Sequence, residues 1–502
     1  MTFLTSRFLF IFLPLALIGF QLLGRLGRRF AIGWLALMSL AFYGTWKPIF
    51  VLVLLSSLLM NYFISRMISR SEARPRLQHW TTVAGVAANL GLLCYFKYLF
   101  PLLGFLHFHG LFRPDWGQVA LPLGISFFTF TQIAYLVDLK QGQAKPQSLI
   151  EYSLFVTFFP YVISGPIVHH KEIMPQFAEE RRYRLNVDDF ALGLTWFVMG
   201  LFKKVMIADR IAPMADALFA APAGVGALLS WQGVLTYAMQ LYFDFSGYSD
   251  MALGLARMFS IRLPFNFNSP YKAAGVIDFW QRWHMTLTRL LTLYLYNPLA
   301  LAASRRRAAQ GKRNSRKALA TLDGFFSLMF VPTMATMLLI GAWHGAGIQF
   351  LIFGLLHGVY LCVNHAWRAF VPAGGKLNRL LPTVACVPLT FLAVAVSLVF
   401  FRAPSLDACW VILGGMIGRH GSGAAWGWDT ALLLAGLFAW IWFMPNTQQV
   451  LQQDSGSDEK SWDLFPKLHW KPTLVWGTLL VGAFVLSLIY AQSGSTFLYF
   501  QF

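Results

Sequence analysis

Apolar runs about as long as a bilayer is thick recur along this whole chain, and no other feature limits its fold so strongly. A helix needs about 20 apolar residues to cross hydrocarbon. Such runs lie near residues 7–23, 31–45, 48–65, 80–103, 119–137, 188–208, 225–244, 321–342, 347–368, 381–401, 428–444 and 473–491. Only 12% of the 502 residues are charged, against about 25% in soluble domains. The sequence therefore predicts an all-α integral membrane protein. It is a polytopic bundle of about 11–13 transmembrane helices, with residues 1–502 forming one membrane domain.

Two further apolar pieces, near 151–165 and 285–302, are too brief or too interrupted to cross. Such backbone is tolerated at membrane depth only where protein surrounds it or a cavity opens beside it. These pieces are expected as re-entrant or interfacial segments around a site.

The net charge of +19 does not describe a nucleic-acid surface, because it is confined to short loops between apolar runs. One loop holds Arg25, Arg28 and Arg29, and a second Arg66, Arg70, Arg74 and Arg76. The strongest holds Arg305, Arg306, Arg307, Lys312, Arg313, Arg316 and Lys317. This is a topology signal, the positive-inside pattern of a multi-pass membrane protein. With all three loops cytoplasmic, the N-terminus is periplasmic. The first run is followed by arginines without a small-residue cleavage site, so it reads as an uncleaved helix. Cys94, Cys362, Cys386 and Cys409 have no CxxC spacing, so neither a disulfide framework nor a metal site is expected. Residues 446–472, with Asp454, Asp458 and Glu459, read as a polar linker. No internal repeat is apparent, which argues against the repeat-built transporter folds.

The middle of the chain is unusually polar for this setting. Asp244-Phe245-Ser246-Gly247-Tyr248-Ser249-Asp250 ends one apolar run and opens the next. Asn266, Asn268, Ser269 and Tyr271 follow, then Asp278-Phe279-Trp280-Gln281-Arg282-Trp283-His284. These groups satisfy one another only if they converge on a wet cavity; otherwise they form a loop among lipid headgroups. His344 lies in Ala342-Trp343-His344-Gly345-Ala346-Gly347, directly after an apolar run. An ionisable side chain at membrane depth costs about 2.5–3.5 kcal/mol, so it usually lines a polar path. Imidazole titrates near neutrality and suits a general base. The small residues after His344 leave room beside its ring, and Trp343 can wall it. His169, His170, His357 and His365 read as structural or interfacial, and His79, His107, His109, His420 and His469 as loop residues.

Several ordered segments resemble the membrane-bound O-acyltransferase family, and within it the bacterial alginate O-acetylation branch. They begin with Leu121-Pro122-Leu123-Gly124-Ile125-Ser126-Phe127-Phe128-Thr129-Phe130 and Tyr135-Leu136-Val137-Asp138. Phe158-Phe159-Pro160, Ser164-Gly165-Pro166-Ile167 and Gly200-Leu201-Phe202-Lys203-Lys204 follow. Then come Tyr242 to Ala252, Asn266-Phe267-Asn268, Asp278-Phe279-Trp280, Trp343-His344-Gly345 and Phe400-Phe401-Arg402-Ala403-Pro404. The matches keep their order over 121–404, and the terminal Phe497-Leu498-Tyr499-Phe500 is also similar.

The resemblance implies an acyltransferase with a tunnel through the bilayer, His344 as catalytic histidine and His284 as second signature histidine. Asp244, Asp250, Asn266, Arg282, Trp283 and Trp343 would support the tunnel through electrostatics or orientation. The donor would be acetyl-CoA from the cytoplasm, with no cofactor bound permanently. The final acceptor would be an extracytoplasmic polysaccharide, reached directly or through a periplasmic acetyltransferase partner. The basic run from Arg305 to Lys317 reads as a topology signal that can also meet CoA phosphates. One departure stands out. The branch usually continues after its Trp-His motif with Arg-Asp-Tyr and a Pro-Leu-Gly-Gly turn. Here Leu291 to Ala300 reads LTLYLYNPLA, and Gln281 stands where arginine is common. Alginate, cellulose, peptidoglycan or another exported glycan stays open as acceptor. The competing classes are a proton-coupled transporter or lipid-linked-sugar flippase, and a non-catalytic assembly subunit.

Overall fold

A computed structural model describes residues 1–99, 101–103, 121–371, 382–453, 464–465, 468–491 and 497–498. His107, His109, the acidic residues of the 446–472 linker, Tyr499 and Phe500 lie outside the described residues. The chain is an all-α polytopic membrane protein, with no strand among the described residues. Among the described residues, seven helices are long and apolar enough to cross a membrane. They are α1 (Phe8–Leu26), α3 (Ile49–Arg70), α4 (Pro75–Leu99), α8 (Val187–Ala220), α13 (Leu322–His344), α14 (Ile348–Phe370) and α15 (Val384–Arg402). Between them come α2 (Arg28–Gly44), α5 (Ile125–Lys140), α6 (Leu149–Thr157), α7 (His170–Phe177), α9 (Ala227–Met258), α10 (Val276–Arg282), α11 (Met285–Leu291) and α12 (Asn297–Ala309). The shorter apolar helices α16 (Leu406–Met416), α17 (Trp428–Phe443) and α18 (Leu474–Tyr490) follow. The expected count of 11–13 rested on apolar runs. Several of those runs form helices too short or too polar to meet the same length and composition.

Two expectations are corrected. The Asp244–Asp250 stretch does not separate two segments, because α9 runs unbroken through it for 32 residues. Its two carboxylates are satisfied sideways from α8, Asp244 by Lys204 and Asp250 by Trp196, so the backbone has no reason to open. The piece near 285–302 is not among the helices apolar enough to cross, but it does not end as a short segment. From α11 the chain passes through a π-turn at Thr292–Tyr296 straight into α12, which carries Arg305, Arg306 and Arg307.

The helices form two compact units. The first comprises residues 1–202, 247–265 and 472–501. Its core is aromatic: Phe3, Phe8, Phe12, Phe42 and Phe159 pack with centroids 5.1–6.1 Å apart. Tyr248 stacks on Phe3 and on Phe497, which gives the terminal motif a packing role. The α8 and α9 backbones approach closely, since a Cβ on Gly200 would overlap the Gly247 carbonyl. Such small residues let helices associate without a water-driven hydrophobic force. Asn61 and Asn89 exchange two amide hydrogen bonds, 3.0 and 2.6 Å, between α3 and α4. Gln132 donates to Ser57 and accepts from Tyr152. As expected of the 151–165 piece, α6 stops after nine residues. The irregular chain from Phe158 to Val168 is then buried in protein throughout.

At one end of this unit, Arg28 pairs with Glu151 at 3.0 Å, and Lys140 donates to His79 at 2.8 Å. These contacts bring the loops around Arg25–Arg29 and Arg66–Arg76 to the same end. The second unit comprises residues 203–246 and 266–471, with Phe502.

Candidate active site

The second unit holds both signature histidines. His284 links α10 to α11 and is buried, with φ of 43° in the left-handed region. Its Nδ1 atom lies 2.8 Å from Asn266 Oδ1, which also accepts from Thr286 Oγ1 at 2.9 Å. An amide oxygen can only accept, so the proton sits on Nδ1 and the imidazole lone pair on Nε2. Phe245 of α9 meets the ring edge-on at 4.8 Å, and Phe267 meets Phe245 at 5.0 Å. Trp283 stacks on Phe279 at 5.7 Å and meets Phe267 edge-on at 5.1 Å. Arg282 turns back to Asp278, Nε to Oδ1 2.6 Å, and stiffens α10. The 266–272 stretch is clamped from beyond α17: Asn446 donates to Asn268 and Ser269 at 2.9 and 3.1 Å.

His344 ends α13 and is buried among Trp343 at 4.6 Å, Phe401 at 4.9 Å and Phe353 at 5.8 Å. Phe401 belongs to the Phe400–Pro404 motif, so that motif packs against His344. The expected room beside the ring is corrected: a Cβ on Gly345 would overlap the ring of Phe350. Glycine is needed there to admit an aromatic neighbour, and Phe350 in turn rests on Phe401 at 5.8 Å.

His357, which sequence reasoning left without a role at the site, joins the two histidine segments. Its Nδ1 accepts from Trp280 Nε1 at 3.3 Å, and its Nε2 meets Ser397 Oγ at 2.9 Å. Phe353 lies 4.6 Å from the His357 ring and also touches His344. A histidine midway along an apolar helix was the available signal.

The supporting residues do not all gather here. Asn266, Arg282 and Trp283 surround His284, and Trp343 adjoins His344. Asp244 contacts Lys204 Nζ at 2.5 Å, and Lys204 also pairs with Asp209 at 2.7 Å. Asp250 belongs to the first unit, where it accepts from Trp196 Nε1 at 3.2 Å. Within the basic run, Arg307 and Lys312 are both held by Asp323, at 2.8 and 3.1 Å.

One cluster in the first unit has ligand atoms close enough for a metal: Asp138, His169 and His170. Both imidazole Nε2 atoms approach Asp138 Oδ2, at 3.0 and 2.7 Å. The Lys171 amide donates to His169 Nδ1 at 3.3 Å. That bond leaves the proton of His169 on Nε2, so it meets Asp138 as a donor and not as a metal ligand.

The sequence profile of the membrane-bound O-acyltransferase family matches residues 50–315. A peptidoglycan O-acetyltransferase from Helicobacter pylori is 38% identical over 450 residues, covering 83% of this chain and 80% of its own. The chain belongs to the membrane-bound O-acyltransferase family. A probable alginate O-acetylase AlgI from Pseudomonas aeruginosa is 36% identical over 417 residues, 82% of this chain and 74% of its own. A teichoic acid D-alanyltransferase from Bacillus subtilis is more distant, 28% identical over 283 residues, 54% of this chain and 65% of its own. The family match starts upstream of the motifs at 121–404, takes in His284 and stops short of His344. This membrane-bound O-acyltransferase thus holds two buried imidazoles, each walled by aromatic rings.

Proposed function

We propose that this O-acyltransferase moves acetyl from acetyl-CoA to hydroxyls of an exported polysaccharide, or toward a periplasmic partner that does so. The observation that carries this reading is the pairing of His284 with Asn266, which commits one buried imidazole to a defined tautomer. The O-acetylating relatives support acetyl as the group and a polysaccharide as the acceptor. In the proposed reaction, His344 takes the hydroxyl proton as the oxygen attacks the thioester carbonyl. A C–O bond forms, the C–S bond breaks, and the proton passes to the departing thiolate. Such base catalysis contributes about 10²–10⁴ in rate. His284, with its lone pair on Nε2, accepts from the hydroxyl and orients it. The acyl group is carried by the histidine at no stage. Two basic loops gathered at one end of the first unit support a cytoplasmic position for that end and a periplasmic N-terminus, in the inner membrane.

The test is the O-acetyl content of exported polysaccharides in a deletion strain. Wild type and His344→Ala are supplied at equal membrane abundance. Restoration by wild type alone is expected, and the polymer that regains acetate names the acceptor. Equal restoration by His344→Ala would remove His344 from the mechanism. An unchanged acetyl content in the deletion strain would overturn the reading and favour transport.

A further inference from the structure

The family chemistry leaves one buried charge cluster unexplained. Lys204 and Asp244 are almost fully buried, and the Lys204 ammonium touches two carboxylates, Asp209 Oδ1 at 2.7 Å and Asp244 Oδ1 at 2.5 Å. Lys204 lies in a π-turn, Lys203–Ala208, inside α8. Such turns are frequent at functional sites, although this chain has others, as at Phe8–Phe12 and Phe326–Phe330. A buried ion cluster is a poor way to stabilise a protein, because well-packed neutral side chains usually serve as well or better. In a chain built from apolar helices, its presence asks for another reason.

The position of Asp244 supplies one. The next residue on α9 is Phe245, whose ring abuts His284 at 4.8 Å. The rotation of this turn of α9 is therefore set on one side by the ring of His284 and on the other by Lys204. We propose that Lys204 and Asp209 are positioning residues for acyl transfer. They hold the Asp244 carboxylate, and with it the α9 turn that walls His284, in one orientation. Asp209 acts through Lys204: it accepts one hydrogen bond from the ammonium and so fixes which N–H groups face Asp244. The inference rests on His284 and His344 forming the acyl-transfer site.

The experiment uses the complemented deletion strain, reading alkali-released acetate from exported polysaccharide at equal membrane abundance, with thermal melting of each purified protein. Asp209→Asn keeps the Lys204–Asp244 pair and so is the gentlest probe. Its acetate is expected to fall by about tenfold or more, as small misplacements at active sites do, with melting unchanged. Asp209→Glu, which restores the carboxylate, should recover most of the loss. The triple variant Lys204→Met, Asp209→Asn, Asp244→Asn strands no charge and should fold as well as wild type while remaining inactive. An active Asp209→Asn, an active triple variant, or a loss that merely follows lowered melting would each overturn the proposal. His344→Ala is run beside them. If it is inactive while Asp209→Asn is active, only this inference fails; if it is fully active, the site itself is misassigned.

Discussion

The Nδ1 atom of His284 lies 2.8 Å from Oδ1 of Asn266, a residue eighteen positions upstream. Removing the amide oxygen frees the ring to adopt either tautomer. Asn266→Leu should lower acetate transfer by about tenfold or more, as misplacement of an orienting group at an active site does. Asn266→Asp retains an acceptor and should lose less. Acetate released per unit of membrane protein measures both, and a Leu variant as active as wild type would refute the role of the pair.

His284 has φ of 43°. Holding a non-glycine residue there costs about 1–3 kcal/mol. His284→Gly and His284→Ala should both be inactive, but the glycine variant should be the more stable by about 1 kcal/mol. Melting in detergent gives the order, and a more stable alanine variant would contradict the strain.

Gly345 admits the ring of Phe350, which leans on Phe401 beside His344. Gly345→Ala should push Phe350 aside and reduce transfer by about tenfold. Adding Phe350→Ala should recover part of that loss by returning the volume. No recovery in the double variant would mean that the steric path is wrong.

Asn61 and Asn89 satisfy each other inside the first unit. Asn61→Leu or Asn89→Leu alone strands a buried amide, at a cost of about 1–2 kcal/mol. The double leucine variant should cost less than the sum of the two. Strict additivity in the melting data would show that the amides do not couple.

Arg29, in the first turn of α2, and Arg74, in the loop before α4, are both exposed at the same end of the first unit. In a background with the four native cysteines replaced, cysteine at either position should resist a membrane-impermeant maleimide in whole cells. Labelling should appear once the membrane is opened. Labelling of intact cells would invert the proposed topology.

Much of this was legible in the chain because lipid imposes simple rules. The segments that became α3, α13 and α14 were readable to within several residues, since a bilayer demands long apolar helices, whereas α8 continues well past the apolar run to Ala220. His284, His344, Trp283 and Arg282 were recognisable from motifs. Asp250 was not separable from Asp244 by sequence, although one meets Trp196 and the other Lys204. The continuity of α9 was hidden as well, because polarity inside a helix looks like a loop until its partners are known.

What the sequence alone determined was the class of protein, its membrane helices and the residue types available for proton transfer. These depend on local composition and spacing. Only the tertiary structure decided that Asn266 orients His284, that His357 joins Trp280 to the wall of His344, and that Lys204 bridges Asp209 and Asp244. Each of these pairings depends on how separate segments pack, and a hydrogen bond between remote side chains leaves no periodic trace in the order of residues.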